Sequence, residues 1–159
     1  LSVRYPVRAS SSATRLHGMK QLIVQRFEHQ EPYNPDVAFM FAEEIYWSDS
    51  KVQKSFPEFQ SYWNTVCYSL RHDRLEGYLI NDEGEVVAAS YYSRVMDIHY
   101  GLIAVPITVI VKEAYRGDIK VLRAVSKLIR EQVKRLGVVM YTVCHHTDDN
   151  TQITRMRTL

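Results

Sequence analysis

The chain has 159 residues, 46% hydrophobic and 24% charged, which is the composition of one globular domain with enough apolar side chains for a core. A formal charge of +2 argues against the concentrated basic surface that nucleic-acid binding needs, and no apolar run reaches the roughly 20 residues of a membrane span. The only cysteines, Cys67 and Cys144, are far apart and lack metal-ligand spacing, so neither a disulfide framework nor a zinc site is signalled and a reducing, cytoplasmic setting is expected.

Residues 1–18 carry a small, polar run at 9–14 with Arg4, Arg8 and Arg15 around it, and read as a flexible N-terminal arm ahead of a folded region at 19–159. Residues 22–27 are rich in β-formers and predict a first strand. Asn34, Pro35 and Asp36 form a helix start, and Val37, Phe41 and Ile45 give that helix one apolar face to about Trp47. Ser55 and Glu58 have the spacing of a capping box, after which Phe59, Trp63, Val66 and Leu70 mark a second helix. Residues 78–80 and 86–92 flank a turn at 81–85 and predict a hairpin. Residues 102–111 read as a strand, or two broken near Pro106, suiting an edge or a bulge.

From Ile119 to Leu136 the period is helical again, with Leu122, Val125, Ile129, Val133 and Leu136 on one side. Lys120, Arg123, Lys127, Arg130 and Lys134 lie opposite; they read as a solvated face, with Lys120 and Arg123 nearest the preceding turn and best placed to meet a phosphate. Gly137 stops this helix, and 138–143 predicts a buried strand parallel to its predecessor. Asp148, Asp149 or Asn150 are expected to cap a final short helix reaching Leu159.

This order of elements, with the segment Val111, Lys112, Glu113, Ala114, Tyr115, Arg116, Gly117 leading into the long helix, resembles the GCN5-related N-acetyltransferase (GNAT) family over roughly 19–159. The resemblance implies an α/β (α+β) fold, a mixed and mostly antiparallel central sheet flanked by helices. The family's last two strands are expected to be absent, or supplied by further polypeptide or another chain. In the family, the turn pattern Arg/Gln-x-x-Gly-x-Gly/Ala binds the coenzyme A pyrophosphate through helix-end amides. Here it falls on Arg116, Gly117, Asp118, Ile119, Lys120 and Val121, with Ile119 and Val121 in place of the glycines. By position, the backbone of Val109, Ile110 and Val111 would hold the pantetheine arm.

A family Asn-x-x-Ala-x-x-x-Tyr run would start at Asn150, with Arg157 where the tyrosine acid stands. The catalytic candidates are therefore Glu113, His99 with its neighbour Asp97, and Arg157. The implied reaction is acetyl-coenzyme A (or other acyl-coenzyme A) dependent N-acylation of a small-molecule or peptide amine, without metal. The alternative is a non-catalytic member of the fold acting as a subunit of a larger assembly, as a homo-oligomer or with a partner chain completing the sheet.

Other residues have plainer readings beside functional ones. Tyr33, Tyr46, Trp47, Tyr62 and Tyr68 could shape an acceptor pocket, or simply pack the core with their edges exposed. Glu43 and Glu44 could orient an amine but read first as exposed helix carboxylates. His145 and His146, adjacent on a strand end near Asp148 and Asp149, point apart and make a poor metal site; Cys144 reads as a small core filler.

Overall fold

Each change of hydrophobic period along the chain becomes a change of element in the computed structural model, which describes residues 18–148 and 150–159. Of the predicted N-terminal arm, all but Gly18 lies outside the described residues, as does Asp149. Strand β1 (Lys20–Arg26) leads to helix α1 (Pro35–Ser48), which starts as its sequence requires: the Asn34 side chain accepts from the Val37 amide at 3.1 Å and Pro35 occupies the first turn. Asp49 ends α1 and also caps a short helix not foreseen in the sequence, α2 (Ser50–Ser55), by accepting from the Lys51 amide. Helix α3 (Phe59–Ser69) therefore starts without the expected capping box. Ser55 is used up in α2, and Glu58 makes no side-chain cap.

Strands β2 (Arg74–Ile80), β3 (Val86–Asp97) and β4 (Gly101–Val111) form an antiparallel meander, then α4 (Ile119–Arg135) crosses to β5 (Met140–Asp148), and β6 (Thr151–Thr158) closes the chain. The six-stranded sheet runs in simple order β1 to β6, antiparallel except at β4 and β5, which α4 joins in parallel. The expected terminal helix is replaced by β6. Asp148 and Asn150 do act locally, but in a hairpin turn, where the Asp148 carboxylate accepts from the Asn150 amide at 2.8 Å. Thr151, Ile153, Thr154 and Thr158 are β-branched, and an unpaired β5 edge was available to receive them.

Helix α4 covers one face of the sheet, and α1 with α3 covers the other. The buried side of α4 consists of Val121, Ala124, Val125, Leu128, Ile129, Gln132 and Val133, so Leu122, expected inside, is exposed. All five cations of the opposite stripe are solvent-exposed. Helix α4 comes close to the sheet at Gly77, where a Cβ would lie 2.9 Å from the Gln132 carboxamide and 3.0 Å from Leu128. That carboxamide cannot move freely, because its Nε2 donates to the carbonyls of Leu75 (3.1 Å) and Ser90 (2.8 Å), tying α4 to two strands at once.

Strand β4 runs unbroken through Pro106 and accommodates one extra residue, Ile107, between the pairs Tyr92↔Pro106 and Tyr91↔Thr108. On its other side, β4 registers with β5 at Ala104↔Tyr141 alone. Beyond that pair the two parallel strands diverge, leaving a wedge that opens toward their carboxyl ends. The first carbonyl past the fork, that of Thr142, is satisfied instead by the Tyr92 hydroxyl, reaching across from β3 at 2.8 Å. Burial holds this hydroxyl's pKa well above the usual phenol range, with Tyr141 adding to the effect, so it remains a donor.

Two substitutions test this packing by chemical denaturation. Gly77→Ala is expected to lose about 1–3 kcal/mol, because the added carbon displaces a hydrogen-bonded carboxamide. Tyr92→Phe is expected to lose about 1–2 kcal/mol by leaving a buried carbonyl unpaired at the fork.

Candidate functional site

The wedge ends at the connection from β4 to α4. After Val111 a short 3-10 turn, Glu113–Tyr115, brings the chain to Arg116, Gly117 and Asp118. Gly117 sits at φ +89°, a left-handed conformation that side chains resist, with no atom near its missing Cβ; the dihedral alone calls for glycine here. Among the described residues, the amides of Gly117, Ile119 and Val121 have no hydrogen-bond partner, as expected at a helix start. The β-branched residues standing at the two pattern glycines do not cover these amides with a shared side-chain plug: Val121 is buried in the core and Ile119 projects into solvent. Lys120 is exposed and makes no ion pair among the described residues.

Two carboxylates occupy other donors of this turn. Asp118 accepts from the Lys120 amide at 2.9 Å and so caps α4 from within. Glu44, from α1, reaches across to accept from the Glu113 amide and from Arg116 Nη2 at 3.2 Å, while Arg116 Nε donates to the Val111 carbonyl at 3.0 Å. Arg116 is thus committed to fixing the turn. Among the described residues, Lys120 is a cation without an ion-pair partner beside the unbonded amides.

Val109, Ile110 and Val111 lie in the diverging half of β4, on the wedge. Asn150 and Arg157 do not lie on a helix near it. Asn150 is in the β5–β6 turn, and Arg157 is exposed on β6 opposite Tyr141. Residues 150–157 therefore form a turn and a strand in place of the expected helical run. His99 and Asp97 sit at the tip of the β3–β4 hairpin, five strand residues from the bulge, or roughly 17 Å. Glu113 remains near the wedge as the exposed head of the 3-10 turn.

On the α1/α3 face, beside the bulge, lies a cavity of about 210 Å³. Ala38 and Ala42 of α1 form one wall, and Tyr62, Thr65, Val66 and Ser69 of α3 another. The sheet contributes Tyr91 from β3 and Ile107, Thr108 and Ile110 from β4, so the bulged residue is part of the lining. Among the described residues, no charged side chain lines it. Of the aromatic residues foreseen as pocket formers, only Tyr62 lines the cavity; Tyr46 is buried behind it, stacked at 5.8 Å, and Trp47 and Tyr68 face solvent. Burial holds the Tyr62 phenol above its ordinary pKa, with the Asp49 charge acting in the same direction, so it is protonated.

Beneath Tyr91 is a polar cluster that sequence reasoning missed. Arg74 Nε and Glu76 Oε2 lie 2.8 Å apart, both side chains fully buried. Arg74 also donates to the carbonyls of His72 and Gln30. The other Glu76 oxygen accepts from the Tyr78 hydroxyl at 2.5 Å and the Tyr33 amide at 2.9 Å. The only sequence signal was two opposite charges at alternate positions of a strand otherwise destined for the core. Cys144, expected inside, is exposed, with its sulfur 3.6 Å from Thr154 Oγ1. Among the described residues no group of three or more metal-ligating side chains exists.

No protein-family model and no curated protein matches the sequence. Solved structures do match the fold. An acetyl transferase candidate from Pyrococcus furiosus aligns at TM-score 0.56 with 20% identity, covering 82% of this chain and 85% of its own. An acetyltransferase candidate from Acinetobacter baylyi aligns at TM-score 0.50 and 14% identity, covering 83% and 73%. A GNAT-family acetyltransferase from Staphylococcus aureus aligns more loosely, at TM-score 0.43 and 14% identity over 79% and 72%, too loosely to carry weight.

Proposed function

We propose that the chain, whose fold matches solved acetyltransferase candidates, is an N-acyltransferase of the GCN5-related type that takes its acyl group from acetyl-coenzyme A, or another acyl-coenzyme A, and passes it to an amine. The observation that carries the reading is the junction of wedge and helix: diverging parallel strands lead to unbonded amides at Gly117, Ile119 and Val121, with Lys120 free beside them. Open α/β sheets bind ligands at the carboxyl ends of strands that part in this way, and helix amino termini favour phosphate.

The donor set fits a pyrophosphate. The amides and Lys120 would hold it, and the diverging backbone of Val109, Ile110 and Val111 would pair with the amides of a pantetheine arm. When bound, the coenzyme supplies an activated thioester carbonyl. The chain's own part is then to present that carbonyl, to exclude water along β4 and to admit an amine from the cavity side past Ile107 and Thr108. A free amine attacks without a strong base, provided that its proton passes to solvent or to an exposed carboxylate such as Glu113. Backbone donors of the fork would polarise the carbonyl.

A second reading, a non-catalytic member of the fold, has specific support. Glu44 ties down Arg116, Asp118 places a negative charge at the helix start, and the tyrosine-bearing helix is replaced by β6. The two readings part on ligand binding.

Calorimetric titration with acetyl-coenzyme A is expected to give a micromolar dissociation constant; absence of binding at millimolar ligand would favour the non-catalytic reading. Lys120→Glu should weaken binding at least tenfold, whereas Lys134→Glu, about 21 Å further along α4, should not change it. Asp118→Ser keeps a capping oxygen while removing the charge, and is expected to tighten binding about fivefold, equivalent to about 1 kcal/mol.

A further inference from the structure

Strands β3 and β4 run on past the rest of the sheet as a two-stranded arm. Among the described residues, β3 has no partner in β2 after Tyr92, and β4 has none in β5 before Ala104. The last pairs of the arm are Val95↔Ile103, Met96↔Leu102 and Asp97↔Gly101. A two-stranded ribbon is marginal in water, and its open edges are a template for association. This one also carries apolar side chains outward: Val95, Met96, Ile98, Tyr100 and Leu102 are all exposed, Met96 at 72% and Ile98 at 93%. Met96 and Leu102 are cross-strand partners and so share one face. The tip is held in one shape, because the Asp97 carboxylate accepts from the His99 amide at 2.7 Å and from the Tyr100 amide at 3.1 Å. Val139, two residues before Tyr141 and likewise exposed, adds to the same end of the sheet.

We propose that this arm is the contact through which two copies of the chain form a two-fold dimer. Charge selects the occupant. In a two-fold contact each patch meets its own copy, so a patch of one sign repels itself and a neutral apolar patch does not. The α4 stripe of Lys120, Arg123, Lys127, Arg130 and Lys134, and the Arg155 and Arg157 pair on β6, are surfaces of one sign. From Arg94 to Leu102 the formal charges are one arginine and one aspartate, and both are engaged within the chain. Arg94 Nη1 donates to the Leu136 carbonyl at 3.2 Å, and Asp97 closes the tip with His99 Nδ1 3.7 Å from it. An acidic or basic partner finds no complementary charge here, whereas a second copy brings a matching apolar surface. Size points the same way. The six exposed residues present on the order of 600 Å² per chain, the upper end of what a monomer leaves uncovered and near the roughly 800 Å² per partner of a standard interface. The arm lies at the amino end of β4 and the wedge at its carboxyl end, so the dimer is independent of the acyltransferase reading.

The test is sedimentation velocity of the full chain over about 1 to 100 μM, where the sedimenting species is expected to pass from one chain to two with a dissociation constant on the order of 10 μM. Ile98→Asp and Met96→Asp change positions already in water. Both should keep the circular dichroism spectrum of the parent, and each should weaken association at least tenfold. Ile153→Asp, on the exposed strand β6, should leave association unchanged. The melting temperature of the parent chain is expected to rise with concentration over the same range, and that of Ile98→Asp to stay constant. A single chain at every concentration overturns the inference; if that chain also floats with phosphatidylcholine vesicles, the occupant of the arm is a lipid surface instead. A dimer that survives both Ile98→Asp and Met96→Asp overturns it as well. So does a dimer lost in Ile153→Asp, which would place the contact on the β6 edge.

Discussion

A β-strand has two edges, and the structure turns on the point where β4 loses the partner on one of them. At Ala104 it is held between β3 and β5; beyond Ala104 the β5 side of its backbone has no strand partner among the described residues. Unpaired backbone groups inside a protein must find other partners or face a ligand. One is compensated from within, as Tyr92 crosses to the Thr142 carbonyl and fixes the fork. The rest of the divergence is left open where α4 begins, so the fold's incomplete hydrogen bonding and its anion-attracting helix end meet in one place.

At the same junction, structural stability opposes the proposed phosphate binding. Asp118 stabilises α4 by capping it, and Glu44 stabilises the turn by binding Arg116 and the Glu113 amide. Both place negative charge at the site proposed for the phosphate. The cation left for a ligand is therefore Lys120, on the first turn of α4 and exposed to solvent. A helix dipole and three unbonded amides supply the rest of the attraction without any side-chain charge.

The two faces of the sheet are used differently. The α4 face is closed: Gly77 allows the helix so near that the Gln132 carboxamide bonds to β2 and β3 together. The α1/α3 face is less completely packed. Its small residues, Ala38 and Ala42, and the bulge at Ile107 leave room beside a buried ion pair whose partners are fully satisfied. Burying Arg74 and Glu76 is tolerable only because each makes several hydrogen bonds; losing either would leave an uncompensated charge in the core.

Local physics was enough to read most of the elements from the amino-acid order. Asn34 and Pro35 start a helix wherever they precede a 3.6-residue apolar period, and Gly117 before Ile119 marks a turn and a helix because few other residues take its backbone angles. The turn into α4 was therefore legible. Residues 151–158 were misread because Asp148 and Asn150 serve a helix cap and a hairpin turn equally well; only the free edge of β5, a long-range partner, decides for the strand. The cavity was invisible for a related reason. Ala38, Tyr62, Tyr91 and Ile107 come from four separate segments, and no pattern in any one of them reports the space left between them. Sequence determines what each segment can be, since capping and periodicity act over a few residues. Tertiary structure alone decides which backbone edges stay unpaired and which side chains enclose a cavity, because both depend on atoms that meet only when the chain has folded.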